Sequence, residues 1–331
     1  MNYLEKKKGI LNKILNNYKN KNILIIGGLG FVGINLSNYL IDCNCKVSIL
    51  SKRKLKKNEN LNKKLKLIIK KNINISFLNS IFNNYDYIFN VAAVKKNNLF
   101  QEKYPADLFY LNSIINLKII KSFTNSNAKK LIILSSSTAG QINSGNNINK
   151  FRANIGYAYS KKVAEIFALL SIKQYKKNIT IIRSDNLFGE FDNFGQHSQV
   201  IPTIIKKFKS SINKVTLKGS GNETRNFLFI NDFIRSLLSI SVNKNSNNKI
   251  FEIKGSKKIS IKKIATIIKS LMQSNKPIVF SDKIKKRILK KNKNEKNVEM
   301  ITINNLNKID DDLKKTIEWY LNNHKYVNNT N

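Results

Sequence analysis

The sequence predicts an α/β protein built on a doubly wound parallel sheet, with a smaller mixed α/β lobe toward the C-terminus. Three observations carry this. Apolar runs of strand length alternate with helix-length segments through the first two-thirds of the chain. Those runs are continuous in Ile, Leu and Val rather than alternating with polar residues, the pattern of strands covered on both faces. Four of the thirteen glycines, Gly27, Gly28, Gly30 and Gly33, fall between the first such run and the first helix.

In chain order, "MNYLEKKKGILNKILNNYKNKN" reads as an amphipathic helix with Leu4, Ile10, Leu11, Ile14 and Leu15 on one face. It has neither the apolar core nor the cleavage site of a secretory signal. "NILIIG" (22–27) is a strand, "FVGINLSNYLIDC" a helix and "KVSIL" (46–50) a second strand. "INISFL" (73–78), "YDYIFNVAA" (85–93), "KKLIILSSS" (129–137) and "ITIIRSDNLFG" (179–189) are expected to follow as strands, with helices between them. Beyond about residue 190 the elements shorten. "VIPTIIKKFKS" and "ISIKKIATIIKSLM" look helical, and "VTLKG" and "KIFEIKG" look like strands. Residues 281–300 are a charge-rich stretch expected to be a solvated helix or loop. "DDDLKKTIEWYLNNH" closes the pattern as a helix with acidic residues in its first turn. The organisation expected is a helical extension over 1–20, a dinucleotide-binding domain over 21–190, and a substrate lobe over 191–331 with some strands and helices returning to the first domain.

The formal charge of +40 does not indicate a nucleic-acid protein. Lysine outnumbers arginine 54 to 6 and is spread over the whole chain. A specific nucleic-acid surface would concentrate charge and favour the bidentate guanidinium. No run of eighteen apolar residues predicts a membrane span. Cys43 and Cys45 match neither a zinc ribbon nor a redox C-x-x-C, so they read as packing thiols of a protein in the reducing cytoplasm, and no metal is expected.

The glycines fit G-x-G-x-x-G at Gly28, Gly30 and Gly33, and equally G-x-x-G-x-x-G at Gly27, Gly30 and Gly33. Following a strand and opening a helix, this is the phosphate cradle of a Rossmann fold. Bare backbone approaches the pyrophosphate and the helix N-terminus faces its charge. An NAD site commonly carries Asp or Glu at the end of the second strand, against the ribose 2′-hydroxyl. Here that place holds Ser51, Lys52 and Arg53 without a carboxylate. A hydroxyl and two cations suit a 2′-phosphate, so NADP(H) is favoured and NAD(H) is the alternative.

"NIGYAYSKKVAE" places Tyr157 and Lys161 one helical turn apart, on one face, about twenty residues after the serines of "LIILSSSTAG". A tyrosine held near a cation and a serine can exchange a proton with a carbonyl oxygen. On these motifs the chain resembles the extended short-chain dehydrogenase/reductases, the NAD-dependent epimerase/dehydratase family that modifies nucleotide-linked sugars. "YPADLFYLNS", "RSDNLFGEFDNF", "VIPTIIKKF" and "RNFLFINDF" make it most similar to the GDP-L-fucose synthase branch. The resemblance implies a catalytic Ser136 (or its neighbour Ser137), Tyr157 and Lys161. It adds Phe31, Val32, Asn79, Ala92 and Ala93 to the cofactor residues. It also implies substrate contacts from Thr138, Asn186, Gln199, Lys207 and Arg225, and a homodimer.

The departures narrow the expected chemistry. The branch epimerises C3 and C5 of its sugar with a Cys two residues after the catalytic Ser and a His just before "VIP". Those places hold Thr138 and Gln199, neither of which is an acid/base near neutral pH. His197, two residues away, reads as a surface residue. A dehydratase would carry an Asp-Glu pair where Thr138 and Ala139 stand. The expectation is a reductase of a nucleotide-linked 4-keto-deoxysugar. A nucleotide-sugar 4-epimerase or dehydratase with bound NAD is the alternative, and a non-catalytic nucleotide- or RNA-binding scaffold is a third reading.

Overall fold

The computed structural model describes residues 16–41, 43–55, 61–142, 154–281, 297–303 and 309–327, together with Ile14. Its first half runs β1 (Asn22–Ile26), α1 (Phe31–Ile41), β2 (Lys46–Ser51), β3 (Lys66–Ile69), α2 (Ile75–Phe82), β4 (Tyr87–Asn90), α3 (Asn98–Lys103), α4 (Pro105–Thr124), β5 (Lys130–Ser136) and α5 (Ile155–Tyr175). There follow β6 (Ile179–Ser184), β7 (Asn186–Phe188), α6 (Val200–Ser210), β8 (Val215–Lys218), β9 (Thr224–Phe229) and α7 (Ile230–Val242). The last elements are β10 (Ile250–Gly255), β11 (Lys258–Ser260), α8 (Ile261–Leu271), β12 (Ile278–Ser281), β13 (Val298–Ile303) and α9 (Ile309–Val327).

Eight strands form one sheet in the order β13-β10-β6-β5-β4-β1-β2-β3, and every pairing in it is parallel. The chain winds outward from β1 in one direction and from β4 in the other. The crevice for a ligand therefore opens between their C-terminal ends, where the glycines lie. Both faces are covered. Ile23, Ile25 and Ile49 face one apolar cluster and Leu24, Ile26 and Leu50 the other, all almost fully buried. This is why the strands read as unbroken apolar runs. Two small sheets, β11-β9-β7 and β12-β8, build the remainder.

Three expectations are corrected or bounded. Residues 73–78 do not form a strand. Asn74 caps a helix by accepting from the Phe77 amide at 2.9 Å, and Leu78 and Phe82 bury one helical face. The strand is β3, the lysine-flanked Lys66–Ile69 at the sheet edge. Of residues 281–300, expected as a solvated helix or loop, 282–296 lie outside the described residues, while Ser281 ends β12 and Val298 begins an edge strand whose register places it beside Ile250. β10 and β13 thus carry the C-terminal half of the chain back into the large sheet, as α9 also returns to its core cluster. In the N-terminal helix, Leu4, Ile10, Leu11 and Leu15 lie outside the described residues, while Ile14 packs against the core. Tyr18 is fully buried, and its hydroxyl meets the Leu238 carbonyl and Ser241 Oγ on α7. Both cysteines are free, and their thiols donate to carbonyls of α1 at Tyr39 and Leu40.

Beneath the C-terminal ends of β5 and β6 runs a buried ion pair. Arg183 of β6 donates from Nε to Glu165 Oε1 at 2.8 Å and from Nη2 to Oε2 at 2.7 Å, while Ser135 Oγ donates to Oε1 at 2.6 Å. Glu252 of β10 lies 3.9 Å from Nη1 and 3.4 Å from Lys254. Removing one partner strands a buried charge. Glu165→Ala is expected to cost about 3–5 kcal/mol of folding stability, read from the urea midpoint at unchanged slope. A midpoint within experimental error of the wild type would refute the dependence of the fold on this pair.

Candidate active site

The turn between β1 and α1 is built for close approach. Gly27 has φ +84°, and its amide donates to the Leu50 carbonyl while its carbonyl receives the Gly30 amide at 2.9 Å. A Cβ on Gly33 would lie 2.4 Å from the Gly28 Cα, so α1 can pack this tightly on the turn only with glycine there. At Gly30 a Cβ would meet only the Gly27 carbonyl oxygen, at 3.1 Å, so the mouth of the turn is bare backbone at a helix N-terminus. These features fit the pyrophosphate of a nicotinamide dinucleotide. Phe31 and Val32 open α1 directly behind the turn. Ala92 closes its other side, with its Cα 2.7 Å from where a Gly27 Cβ would stand, and Ala93 follows it on the loop after β4.

At the end of β2, Ser51 is buried and its Oγ accepts the Arg53 amide at 3.1 Å. The Arg53 guanidinium turns back over the glycine turn, donating to the Leu29 carbonyl at 2.9 Å and to the Lys54 carbonyl at 3.1 Å. Lys52 is exposed. Asn79, by contrast, stands on the second turn of α2 instead of at a strand end, with Oδ1 buried and without a hydrogen-bond partner.

Two elements carry the residues expected to be catalytic. β5 ends in three serines with distinct fates. Ser135 points to Glu165, Ser136 Oγ accepts from the Thr138 hydroxyl at 3.0 Å and from its amide at 3.3 Å, and the Ser137 amide joins Ser184. α5 carries Tyr157, Lys161 and Glu165 at four-residue spacing, on one face. Its first turn lies hard against α4. A Cβ on Gly156 would fall 1.9 Å from the Pro105 carbonyl oxygen, so glycine there sets how deeply Tyr157 enters the cleft.

Tyr157 is 6% exposed, and burial pushes its phenol well above the usual range. Lys161 is 1% exposed. Its Nζ donates to the Leu134 carbonyl at 2.6 Å and stands 5.8 Å from the centre of the Tyr157 ring. Burial lowers its ammonium to about 8, helped by nearby Lys95 and opposed by Glu165. Tyr159, two residues from Tyr157, packs with Ile142 and Ala158 away from this pair.

Two further charged groups face the same place. Lys95, on the loop after β4, puts its Nζ 5.9 Å from the centre of the Tyr157 ring. The loop after β7 brings Asp192, 7% exposed, with Oδ1 accepting the Asn193 amide at 2.7 Å and Oδ2 buried without a hydrogen-bond partner. Burial raises this carboxyl to about 7, against the pull of Lys95. Its loop is pinned by aromatic contacts to α9. Phe191 lies 5.0 Å from Trp319 and Phe194 stacks on Tyr320 at 4.3 Å, between ring centres.

The substrate residues implied by resemblance occupy separate elements. Asn186 Nδ2 donates to the Asn226 carbonyl of β9, and Arg225 on that strand is exposed with Nη1 on the Thr224 carbonyl. Lys207 on α6 donates to the Thr216 carbonyl of β8. Gln199, at the start of α6, donates to the Lys96 carbonyl at 3.1 Å. His197 is half-buried rather than on the open surface. Its ring meets that of Phe100 edge-on at 4.8 Å. No cluster of metal-ligating residues occurs among the described residues, and no described helix is long and apolar enough to cross a membrane.

Lys95, Asp192, Glu165 and Arg183 are site residues that sequence reasoning missed. Glu165 was discoverable, since it stands one turn beyond Lys161, and Arg183 is a lone charge inside an apolar strand. Lys95 has no signal in so lysine-rich a chain.

The sequence model described as the NAD dependent epimerase/dehydratase family matches residues 23–253. A dTDP-4-dehydro-6-deoxy-D-allose reductase from Streptomyces sp is 22% identical over 196 residues, which span 56% of this chain and 59% of that relative. Among solved structures, an epimerase from Methanothermobacter thermautotrophicus superposes with a TM-score of 0.78 at 19% identity, covering 96% of this chain and 97% of the other. A GDP-L-fucose synthetase from Naegleria fowleri bound to NADP gives a TM-score of 0.71 at 20% identity, covering 93% and 94%.

Proposed function

The chain belongs to the NAD dependent epimerase/dehydratase family, and from that premise we propose that it is an NADP(H)-dependent reductase of a nucleotide-linked 4-keto-deoxysugar. The observation that supports the reading is Lys161 held between Tyr157 and the Leu134 carbonyl of β5, the strand that ends in Ser136, in a chain whose first strand-to-helix turn is bare glycine and which carries Thr138 and Gln199 at the epimerase positions. The nicotinamide dinucleotide, when bound, supplies the hydride that reduces C4. Gly27, Gly30 and Gly33 with the start of α1 would hold its pyrophosphate. Ser51, Lys52 and Arg53 would receive the 2′-phosphate of NADP(H).

The protein's own residues do the proton chemistry. Ser136 Oγ already accepts two hydrogen bonds from Thr138, so its own hydrogen is directed away from them, toward the sugar's C4 oxygen. Tyr157 gives its proton to that oxygen as the alcohol forms. A phenol buried this deeply resists ionisation, and the Lys161 ammonium, fixed by the Leu134 carbonyl, offsets that resistance. Thr138 thus serves the serine, and Gln199 ties α6 to the loop after β4.

NADPH is expected to support reduction of nucleotide-linked 4-keto-6-deoxysugars with kcat/KM at least about tenfold above NADH, roughly 1.4 kcal/mol of preference. Arg53→Ala should erase most of it, and Tyr157→Phe should lower turnover about a hundredfold or more while cofactor still binds. Turnover without added cofactor, by a protein purified with NAD in place, would instead establish a redox-neutral epimerase.

Proton exchange is a separate test. In deuterated water without NADPH, GDP-4-keto-6-deoxymannose is expected to acquire no enzyme-dependent deuterium at C3 or C5, because Thr138 and Gln199 supply no base. Label at either carbon overturns reduction without epimerisation.

The homodimer belongs to the same reading. Tyr110 on α4 and Ile166 and Leu170 on α5 are apolar and 61%, 48% and 58% exposed, an uncovered face on two adjacent helices. Sedimentation should give a dimer, and Leu170→Glu a monomer. A monomeric wild type at micromolar concentration removes the dimer from the proposal.

A further inference from the structure

The catalytic tyrosine has a lysine from each of two separate elements near its ring. Lys161 comes from α5, at 5.8 Å from the ring centre, and Lys95 from the loop after β4, at 5.9 Å. Only the first follows from the Y-x-x-x-K spacing. On the loop after β7, Asp192 has one carboxylate oxygen buried and unpartnered, and its charge acts on Lys95. We propose that Lys95 is a second cation of the catalytic centre and that Asp192 is its counter-charge, the two together setting the charge state in which Tyr157 works. The proposal rests on the reductase reading for its consequence in turnover, but the charge coupling itself does not.

The geometry and the charges agree on the sign. Burial of Tyr157 opposes its ionisation, and a positive charge near the ring favours it. Lys161 alone is a compromised cation, since burial lowers its ammonium. Lys95 is exposed along its length, yet burial around its ammonium lowers it as well, and Asp192 opposes that shift. The groups that face Lys95 are Tyr157 and Lys161 from α5, with Glu165 behind Lys161, and Asp192 from the loop after β7. Lys96, beside it in sequence, is turned onto Phe100. Two ammoniums this close repel each other, and an ionised Asp192 moderates that repulsion. Because Asp192 titrates near neutrality, the moderation is switched on above about pH 7 and lost below it.

Asp192 is rigidly presented. The Gly189 carbonyl receives its amide, the Glu190 carbonyl receives Asn35 Nδ2 from α1, and Phe191 and Phe194 stack on α9. The carboxylate therefore does not drift away from the cleft when Lys95 moves. Neither residue needs to touch the reacting atoms. Both act through the field they impose on Tyr157 and Lys161.

The test uses the full chain and two readouts, the first of which needs no substrate. The Asp192 carboxyl is followed by 13C NMR of aspartate-labelled protein, assigned by its loss in Asp192→Asn, and the function of the pair by the pH profile of turnover. Lys95→Gln removes a positive charge and should raise the Asp192 midpoint by about one pH unit. Lys95→Arg should restore it. An Asp192 midpoint unmoved in Lys95→Gln, or Lys95→Arg behaving like Lys95→Gln, would overturn the proposal. If the titration shifts as expected and no 4-keto sugar is reduced, the reductase reading fails while the charge couple stands. If turnover is found but its pH profile ignores Lys95→Gln, the couple has no part in Tyr157 function and the proposal fails.

Discussion

The interaction on which the rest of the structure depends is the buried contact between Arg183 and Glu165. Each charge is nearly inaccessible to water, so each alone would be costly to bury. Their two-point contact, with Ser135 as third partner, fixes α5 in both translation and rotation against β5 and β6. Everything else on that face of α5 inherits the alignment. Lys161, one turn before Glu165, reaches the Leu134 carbonyl, and Tyr157, one turn earlier again, stands in the cleft. A helix held only by apolar packing could slide by a fraction of a turn at small cost. This one is held by a planar fork that matches a planar carboxylate in one arrangement.

A second constraint is the pair of close approaches made by glycine. Gly33 lets α1 settle on the turn before it, and Gly156 lets α5 settle on the start of α4. The first brings a helix N-terminus to the ligand crevice and the second sets the depth of Tyr157. The glycine turn and Tyr157 are thus placed by the absence of two methyl groups, on opposite sides of the switch in strand order between β1 and β4. The overall charge of the chain contributes little to this. Its lysines are spread over the surface, and those that matter are the few drawn into the cleft.

Most of the large sheet and the core of the site were legible because their signals are local. A glycine turn between a strand and a helix, or a tyrosine and lysine at one-turn spacing, has a meaning that neighbouring residues already fix. The reading failed where a decision is made at a distance. "INISFL" alternates like a strand, yet Asn74 caps it as a helix, and the lysine-flanked β3 takes the edge position because β2 offers it hydrogen bonds. Val298–Ile303 becomes a strand by pairing with β10, some fifty residues away. Lys95 and Asp192 meet across the cleft only after the fold has closed, and nothing in either neighbourhood announces the other.

The stacking of Phe191 and Phe194 on Trp319 and Tyr320 has a consequence for how the protein is made. The glycine turn lies within the first thirty-three residues, and β1, β2 and β4 can surround it early in synthesis. The loop that carries Asp192 takes part of its support from α1, through Asn35 on the Glu190 carbonyl, and the rest from far along the chain. Its aromatic residues Phe191 and Phe194 meet Trp319 and Tyr320 on α9, well over a hundred residues further along, so the loop is completed from a distant part of the chain. A nascent chain can therefore present a formed cofactor cradle before it has a finished reaction chamber, and chemistry waits on the arrival of a tryptophan.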